Sequence, residues 1–375
     1  MVVKIVPPLE IKIEAVDKIL YTFLVDTTLT ITDAIAKLKA KSGGVNLPDG
    51  LQAKLDEMFS ELEVNSHSET TFWTYYQTAS KYIDWIISLP WNNRSADILD
   101  LRYAKEKLDE NHYGLTEVKE RIIEYISVLA LQKNRHPEAS FRAPILLFTG
   151  LVGTGKTTMA KSIADVLDRK LIRIPFGGLG DPLYLRGQSR LHPEAEPGAI
   201  IRALSQCQTK NPVILLDEID RVADDALNTI MGVLVELLDP EQNAHFTDHY
   251  IDYPFDLSEA FFVATCNNTT RIATAVMDRL EVIQMPSYTD DEKIAIGRDY
   301  ILPKAIADSG ITTDELKIKD EIWLSIVRPL GFDAGVRTLK RNIEGLCRKT
   351  AAMILDGTKR VVVDETNIKK FIPQW

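Results

Sequence analysis

Residues 150–157 read Gly-Leu-Val-Gly-Thr-Gly-Lys-Thr, and this short stretch constrains the chain more than any other. An apolar run of strand length, Pro144-Ile-Leu-Leu-Phe-Thr149, comes just before it, and a helical pattern follows from 155 to about 168. A glycine-rich turn between a strand and a helix lets backbone N–H groups curl around phosphate oxygens without a Cβ in the way. The helix N-terminus adds partial positive charge at the same point. Lys156 can then reach the β- and γ-phosphates, and Thr157 can offer its hydroxyl to Mg²⁺. The bland alternative is a glycine turn before a helix, and the strand before it and the helix after it, the context the motif requires, weigh against that alternative.

The surrounding pattern alternates strand and helix. Strands are expected at 171–176 (LIRIPF), 212–220 (PVILLDEID) and 260–267 (AFFVATCN), and helices at 197–209 and 225–238. That order predicts an α/β fold with a parallel sheet covered by helices on both faces. Beyond about 286 the strand signal fades. Helical patterns at 289–308, 319–328 and 334–355 predict a separate C-terminal small helical domain. Toward the N-terminus, 9–15 alternates like a strand, whereas 31–41, 48–63 and 69–88 read as helices, so a mainly helical N-terminal segment is expected. Lys41-Ser42-Gly43-Gly44 reads as a stop and linker. The division expected is 1–47, 48–92, 93–286 and 287–375. Trp73, Tyr75, Tyr76, Tyr82 and Trp85 share the 69–88 helix, where core packing explains them better than a ligand box.

Further chemistry gathers at the strand ends. Val213-Ile-Leu-Leu216 runs into Asp217-Glu218, which puts two carboxylates where ligands bind in such sheets. Asp217 suits Mg²⁺ and Glu218 the attacking water. Asn267 closes the next strand, where its amide could contact a γ-phosphate or a water; a turn-forming Asn is the competing reading. Arg279 and Arg337 are candidates for stabilising transition-state charge and for coupling domain orientation to phosphate; surface ion pairing is the alternative for each.

Composition narrows the class. With 44 Lys plus Arg against 54 Asp plus Glu, the net charge is −10, which disfavours a surface devoted to nucleic acid. Lys37, Lys39 and Lys41 read as a solvated helix surface. Cys207, Cys266 and Cys347 have no metal spacing or disulfide framework and fit small buried residues in a reducing, cytoplasmic compartment. No 18-residue apolar stretch or signal-peptide core is present, so no membrane association is expected.

Taken together, the segments IDWIISLPWN (83–92), LDENHYGLTEVKERI (108–122), NPVILLDEID (211–220), LLDPEQNAHFTDHYIDYPFDLS (237–258), MDRLEVIQMPSYTDDEK (277–293) and DAGVRTLKRNI (333–343) resemble the ATPase module of the Lon proteases, a branch of the AAA+ ATPases. The resemblance runs from about 48 to 375. It implies that Gly150, Gly153, Thr154, Gly155, Lys156, Thr157 and Thr158 surround the phosphates of ATP as Walker A residues. Asp217 and Glu218 take the Walker B places, with Thr157 and Asp217 toward Mg²⁺. Asn267 takes the place of sensor 1, Arg279 that of an arginine finger acting in trans, and Arg337 that of sensor 2 acting in cis. His112, Tyr113 and Gly114, with Ile122, match the adenine side. A hexameric ring acting on proteins is implied as well.

Departures from that family frame three readings. No residues follow 375 for a Ser–Lys peptidase, so peptide cleavage by this chain is not expected. The pore-loop wedge is replaced by His192-Pro193-Glu194, with Tyr184 nearby, Glu196 adding to an acidic collar, and Leu227-Asn-Thr-Ile230 in the second pore region. Leu151-Val152 stands where the family usually has two prolines. The preferred function is an ATP-driven protein remodeller, either a chaperone or the motor for a separate peptidase. The alternatives are a nucleotide-controlled assembly acting on a dedicated partner without threading, and, least favoured, a DNA-associated ATPase.

Overall fold

The structure is a computed structural model that describes residues 30–135, 144–192, 194–328 and 333–372. The strand expected at 9–15, Pro193 and the last three residues lie outside the described residues. Two compact units divide at Trp91 and Asn92.

The first unit holds three helices, α1 (Ile31–Ser42), α2 (Asp49–Val64) and α3 (Glu69–Ser88). Thr30 caps α1 by accepting from the Asp33 N–H at 3.2 Å. The apolar stripes Ala34-Ile35-Leu38, Leu51-Leu55-Phe59-Leu62 and Phe72-Tyr82-Ile83-Ile86 form its buried residues, as helical spacing dictates. Of the aromatic stripe on α3, Tyr82 is fully buried and Tyr75 is half exposed. Lys39 pairs with Glu63 at 2.7 Å, and Lys41 pairs with Asp84. These lysines are therefore already engaged with carboxylates.

The second unit begins with an extended strap fastened to its core. Arg94 grips Glu259, and Ser95 N–H donates to Asn211 Oδ1 at 2.9 Å. Asp97 accepts two bonds from Arg169 at 2.7 and 2.9 Å. Helices α4 (Leu101–Asn111) and α5 (Thr116–Arg135) follow, then strand β1 (Ile145–Thr149) and helix α6 (Lys156–Leu167). Strands β2 (Leu171–Pro175), β3 (Val213–Asp217), a small hairpin of β4 (Phe246–Thr247) and β5 (Pro254–Phe255), β6 (Phe261–Cys266) and β7 (Leu280–Gln284) complete this part.

The main sheet has five parallel strands in the order β2-β3-β6-β1-β7. Its inner strands β3 and β6 are buried throughout, which is why they read as unbroken apolar runs. Edge strand β2 alternates, with Ile172 and Ile174 inside. The fifth strand, β7, carries Glu281 and Gln284 among its apolar residues and was not expected from the sequence. Because all five strands run the same way, the residues following β1, β3 and β6 emerge at one edge of the sheet.

The C-terminal part is mostly helical, with one addition. Strands β8 (Leu316–Ile318) and β9 (Val361–Val363) form a short parallel ladder beside helix Arg337–Leu355. Three residues per strand are too few to show a period in sequence. The helix expected over 289–308 forms, but it passes through a π turn at Gly297–Ile301 between helices Asp290–Ile296 and Leu302–Asp308. Pro303 lacks the N–H that would continue the α pattern.

Candidate nucleotide site

The three strand ends build the site. β1 delivers Gly150, and the chain turns through 151–155 into α6. Gly155 is the N-cap of α6 at φ +99°, a backbone region open to glycine at little cost. No side chain caps this 12-residue helix, so its first N–H groups face the turn. Thr154 is buried and donates its hydroxyl to Leu151 O at 2.9 Å, tightening the turn. Thr158 does the same to Gly155 O at 2.8 Å.

Lys156 lies under this turn and is nearly buried. Its ammonium donates to Gly150 O at 2.6 Å, Leu151 O at 2.9 Å and Asn267 Oδ1 at 2.9 Å. Burial pushes it below its ordinary pKa, against the pull of nearby acidic groups. β1 and β6 are neighbours in the sheet, and this places Asn267 opposite the turn.

Asp217 ends β3 and is held on both oxygens. Its Oδ1 accepts from Thr157 Oγ1 at 3.2 Å and from Thr265 Oγ1 at 2.6 Å. Its Oδ2 accepts from Arg173 Nε at 2.8 Å, and the Arg173 Nη2 stands 2.7 Å away. The Thr265 hydroxyl also accepts from the Glu218 N–H at 2.9 Å. Glu218 itself is in the left-handed region at φ +59°, unusual for a residue with a side chain. The turn it makes carries Asp220 back toward β6, where Oδ2 accepts the N–H groups of Asn267 and Asn268 at 3.0 and 3.1 Å.

The C-terminal part closes over the turn. Val336 N–H donates to Gly153 O at 3.0 Å. A Cβ on Gly335 would lie 2.5 Å from Gly153 C, so Gly335 must be glycine for the two backbones to meet, and Gly153 turns the chain there at φ +83°. Tyr288 donates its hydroxyl to Thr154 O at 3.2 Å and its N–H to Ala334 O. Arg337 starts the long helix Arg337–Leu355 beside Gly153 and is exposed, and its side chain has no hydrogen bond or ion pair among the described residues.

Beside the turn is a cavity of ≈ 270 Å³ lined by Tyr113, Gly155, Thr158, Tyr288, Ile301 and Val336, among others. Its aromatic and aliphatic lining suits a flat apolar group, with Tyr113 38% exposed and edge-on to Tyr300 at 6.3 Å, while Lys304, Asp308, Lys340 and Glu344 make another part of the lining charged. His112 lines it too, buried, with Nε2 2.9 Å from Ser162 Oγ. Burial and nearby Lys119 pull the imidazole pKa down to about 4, which keeps it neutral. Gly114 turns the chain at φ +62°. Ile122, expected to line a base, is instead 1% exposed in the hydrophobic core and is not among the cavity's lining residues. Helical spacing puts it on the inward face of α5 with Val118, Ile126 and Leu129.

Arg279 stands apart from these groups. Its Nη2 lies 2.9 Å from Asp239 Oδ2, and its Nη1 donates to Ala275 O at 2.6 Å. Within one chain it is thus an ion-pair partner. Arg173, Thr265, Asp220, Tyr288 and Gly335 were missed from the sequence. The alternation of β2 and the threonine two places before Asn267 were the only available signals.

Two family models match the chain. The model of the "ATPase family associated with various cellular activities (AAA)" covers residues 146–288. The "Lon protease AAA+ ATPase lid domain" covers 307–362, the part that closes over the turn. The chain belongs to the Lon family of AAA+ ATPases. Relatives agree: it is 42% identical over 344 residues to a Lon protease of Lawsonia intracellularis and 44% identical over 292 residues to Lon protease 1 of Bacillus subtilis. A mitochondrial Lon protease homolog of Dictyostelium discoideum is 41% identical over 298 residues. These matches cover 91%, 78% and 79% of this chain, but only 40%, 37% and 30% of those proteins. In this Lon-type module, Leu151 and Val152 expose their side chains outside the glycine turn.

The second unit also carries a cleft of ≈ 710 Å³ lined by Leu183, Gln188, Ser189, His192, Glu194 and His249, none of them a residue of the turn. Leu191, beside it in sequence, is 93% exposed. Arg202 lies over the Tyr184 ring at 5.4 Å, and Glu196 pairs with Arg202 at 3.4 Å. Among the described residues no helix is long and apolar enough to cross a membrane.

Proposed function

We propose that this chain hydrolyses Mg²⁺-ATP at the 150–158 turn, within a ring of like subunits, and uses the cycle to remodel proteins. The observation that carries the reading is the convergence of Lys156, Asn267, Thr157 and Asp217 on the mouth of one uncapped helix. The groups present fit the cofactor. Gly150, Gly153 and Gly155 hold positive φ, the backbone form in which successive N–H groups can face phosphate oxygens, and a hydroxyl beside a carboxylate is an oxygen donor set suited to Mg²⁺. Bound Mg²⁺ would supply charge neutralisation for the phosphates.

This chain's residues divide the remaining work. Lys156 exchanges its carbonyl partners for phosphate oxygens, and Thr157 with Asp217 holds the metal. Glu218, on a strained turn, orients the attacking water, and Asn267 reports on the γ-phosphate through its bond to Lys156. Arg337 reaches the same phosphates in cis from the lid, and Arg279 serves a neighbouring subunit in trans. His112, Tyr113 and Gly114 lie on the base side.

A specific observation favours remodelling over pure assembly. Leu191 projects from the loop that has lost the usual wedge, and Leu183, which lines the cleft with His192, is exposed as well. The test is the steady-state ATPase rate with and without a casein-like unfolded protein. Stimulation supports remodelling, either as a chaperone or as a motor for a separate peptidase. An unchanged rate with several such proteins points instead to an assembly that acts on one dedicated partner.

A further inference from the structure

The Asp239 carboxylate sits at the end of helix Leu227–Leu237, on the turn leading to Pro240. Its Oδ1 is fixed by the Glu241 N–H at 2.9 Å. Its Oδ2 accepts from both Nε and Nη2 of Arg279, at 3.3 and 2.9 Å. The Glu241 N–H and then Arg279 hold this carboxyl below its ordinary pKa, so it stays charged. On the other side, Arg279 Nη1 donates to Ala275 O, one helical turn back. Three of the five guanidinium N–H groups are thereby engaged. Two remain, one on each Nη, without a partner among the described residues. The side chain is 27% exposed, against 17% for Asp239.

We infer that Asp239 is a positioning residue: it holds Arg279 in one rotamer with its two remaining donors turned outward, ready for the phosphate oxygens of a neighbouring subunit's nucleotide. The inference rests on the trans role proposed for Arg279. A guanidinium gripped on its Nε side and free on each Nη matches the paired geometry that phosphate oxygens accept. An arginine on a flexible stem with no such grip would have to be ordered at each turnover.

The experiment measures kcat, ATP affinity and assembly for Arg279→Ala, Asp239→Ala, Asp239→Asn and the double variant Arg279→Ala/Asp239→Ala. Asp239→Asn keeps the shape and one acceptor, and so serves if Asp239→Ala folds poorly. Arg279→Ala is expected to lower kcat by about tenfold or more with ATP affinity unchanged. Asp239→Ala is expected to follow it, Asp239→Asn to fall between, and the double variant to be no worse than Arg279→Ala. A merely structural role would instead add its loss to that of Arg279→Ala. A mixing arm separates the two ideas. Lys156→Ala subunits should restore hydrolysis to Arg279→Ala subunits, and Lys156→Ala/Asp239→Ala subunits should not. If Lys156→Ala subunits fail to restore activity, the trans reading of Arg279 fails. If they succeed and the Asp239→Ala version succeeds equally, the positioning role of Asp239 is overturned.

Discussion

The backbone N–H of Val336 donates to the carbonyl of Gly153 at 3.0 Å, a main-chain bond from the lid to the glycine turn. It forms because Gly335 and Gly153 meet backbone to backbone. Any Cβ on Gly335 would have to displace the turn. Gly335→Ala is therefore expected to cost about 1–3 kcal/mol of lid docking, read as roughly five- to 150-fold weaker binding of a fluorescent ATP analogue. Unchanged affinity would mean that the lid contact contributes nothing to nucleotide binding.

Thr265 has a hydroxyl with two duties. It donates to Asp217 and accepts from the Glu218 N–H. Thr265→Val preserves shape but leaves that N–H unpaired. A loss of about 1–3 kcal/mol in denaturant unfolding is expected, together with a lower kcat. Thr265→Ser should restore much of both. A silent Thr265→Val would show that Glu218 holds its turn without this bond.

His112 predicts a pH effect on stability. Its folded pKa is about 4, against 6.5 for the free side chain. Between those values the unfolded chain binds the proton and the native chain does not. Stability is therefore lost as pH falls from about 6.5 to about 4, by about 3 kcal/mol at most. His112→Gln, a polar side chain that takes up no proton in this range, should flatten that part of the stability–pH curve. An equally steep curve in the variant would assign the acid sensitivity to other groups.

Much of this site was legible in the sequence because each element announced itself by a different signal. The turn at 150–157 has its glycines and its Lys-Thr pair, and β3 is an apolar run that stops on two acids. What the sequence did not reveal depends on spatial neighbours. Arg173 is an ordinary alternating polar residue on β2 until β3 is placed beside it. Ile122 sits on an apolar helical face, and such a face cannot say whether it meets a base or a core. Strands β8 and β9 are too short to carry a period, and β7 interleaves polar and apolar residues without a run.

The loop around His192 and Glu194 gives a fourth expectation. Leu191 is the most exposed large apolar side chain of the described residues. Leu191→Ala should lower the ratio of stimulated to basal ATPase with an unfolded protein. The triple variant His192→Tyr, Pro193→Ile, Glu194→Gly should raise it. If Leu191→Ala has no effect and only the triple variant responds, the natural chain does not grip substrate on this face.

Single-turnover hydrolysis by Glu218→Gln, measured beside ATP binding, tests the assigned site most directly. The variant should bind Mg²⁺-ATP as the natural chain does and lose most of its hydrolysis, because an amide cannot orient and deprotonate the attacking water as the carboxylate does. Turnover at the natural rate in Glu218→Gln would contradict this assignment and place the chemistry elsewhere in the chain.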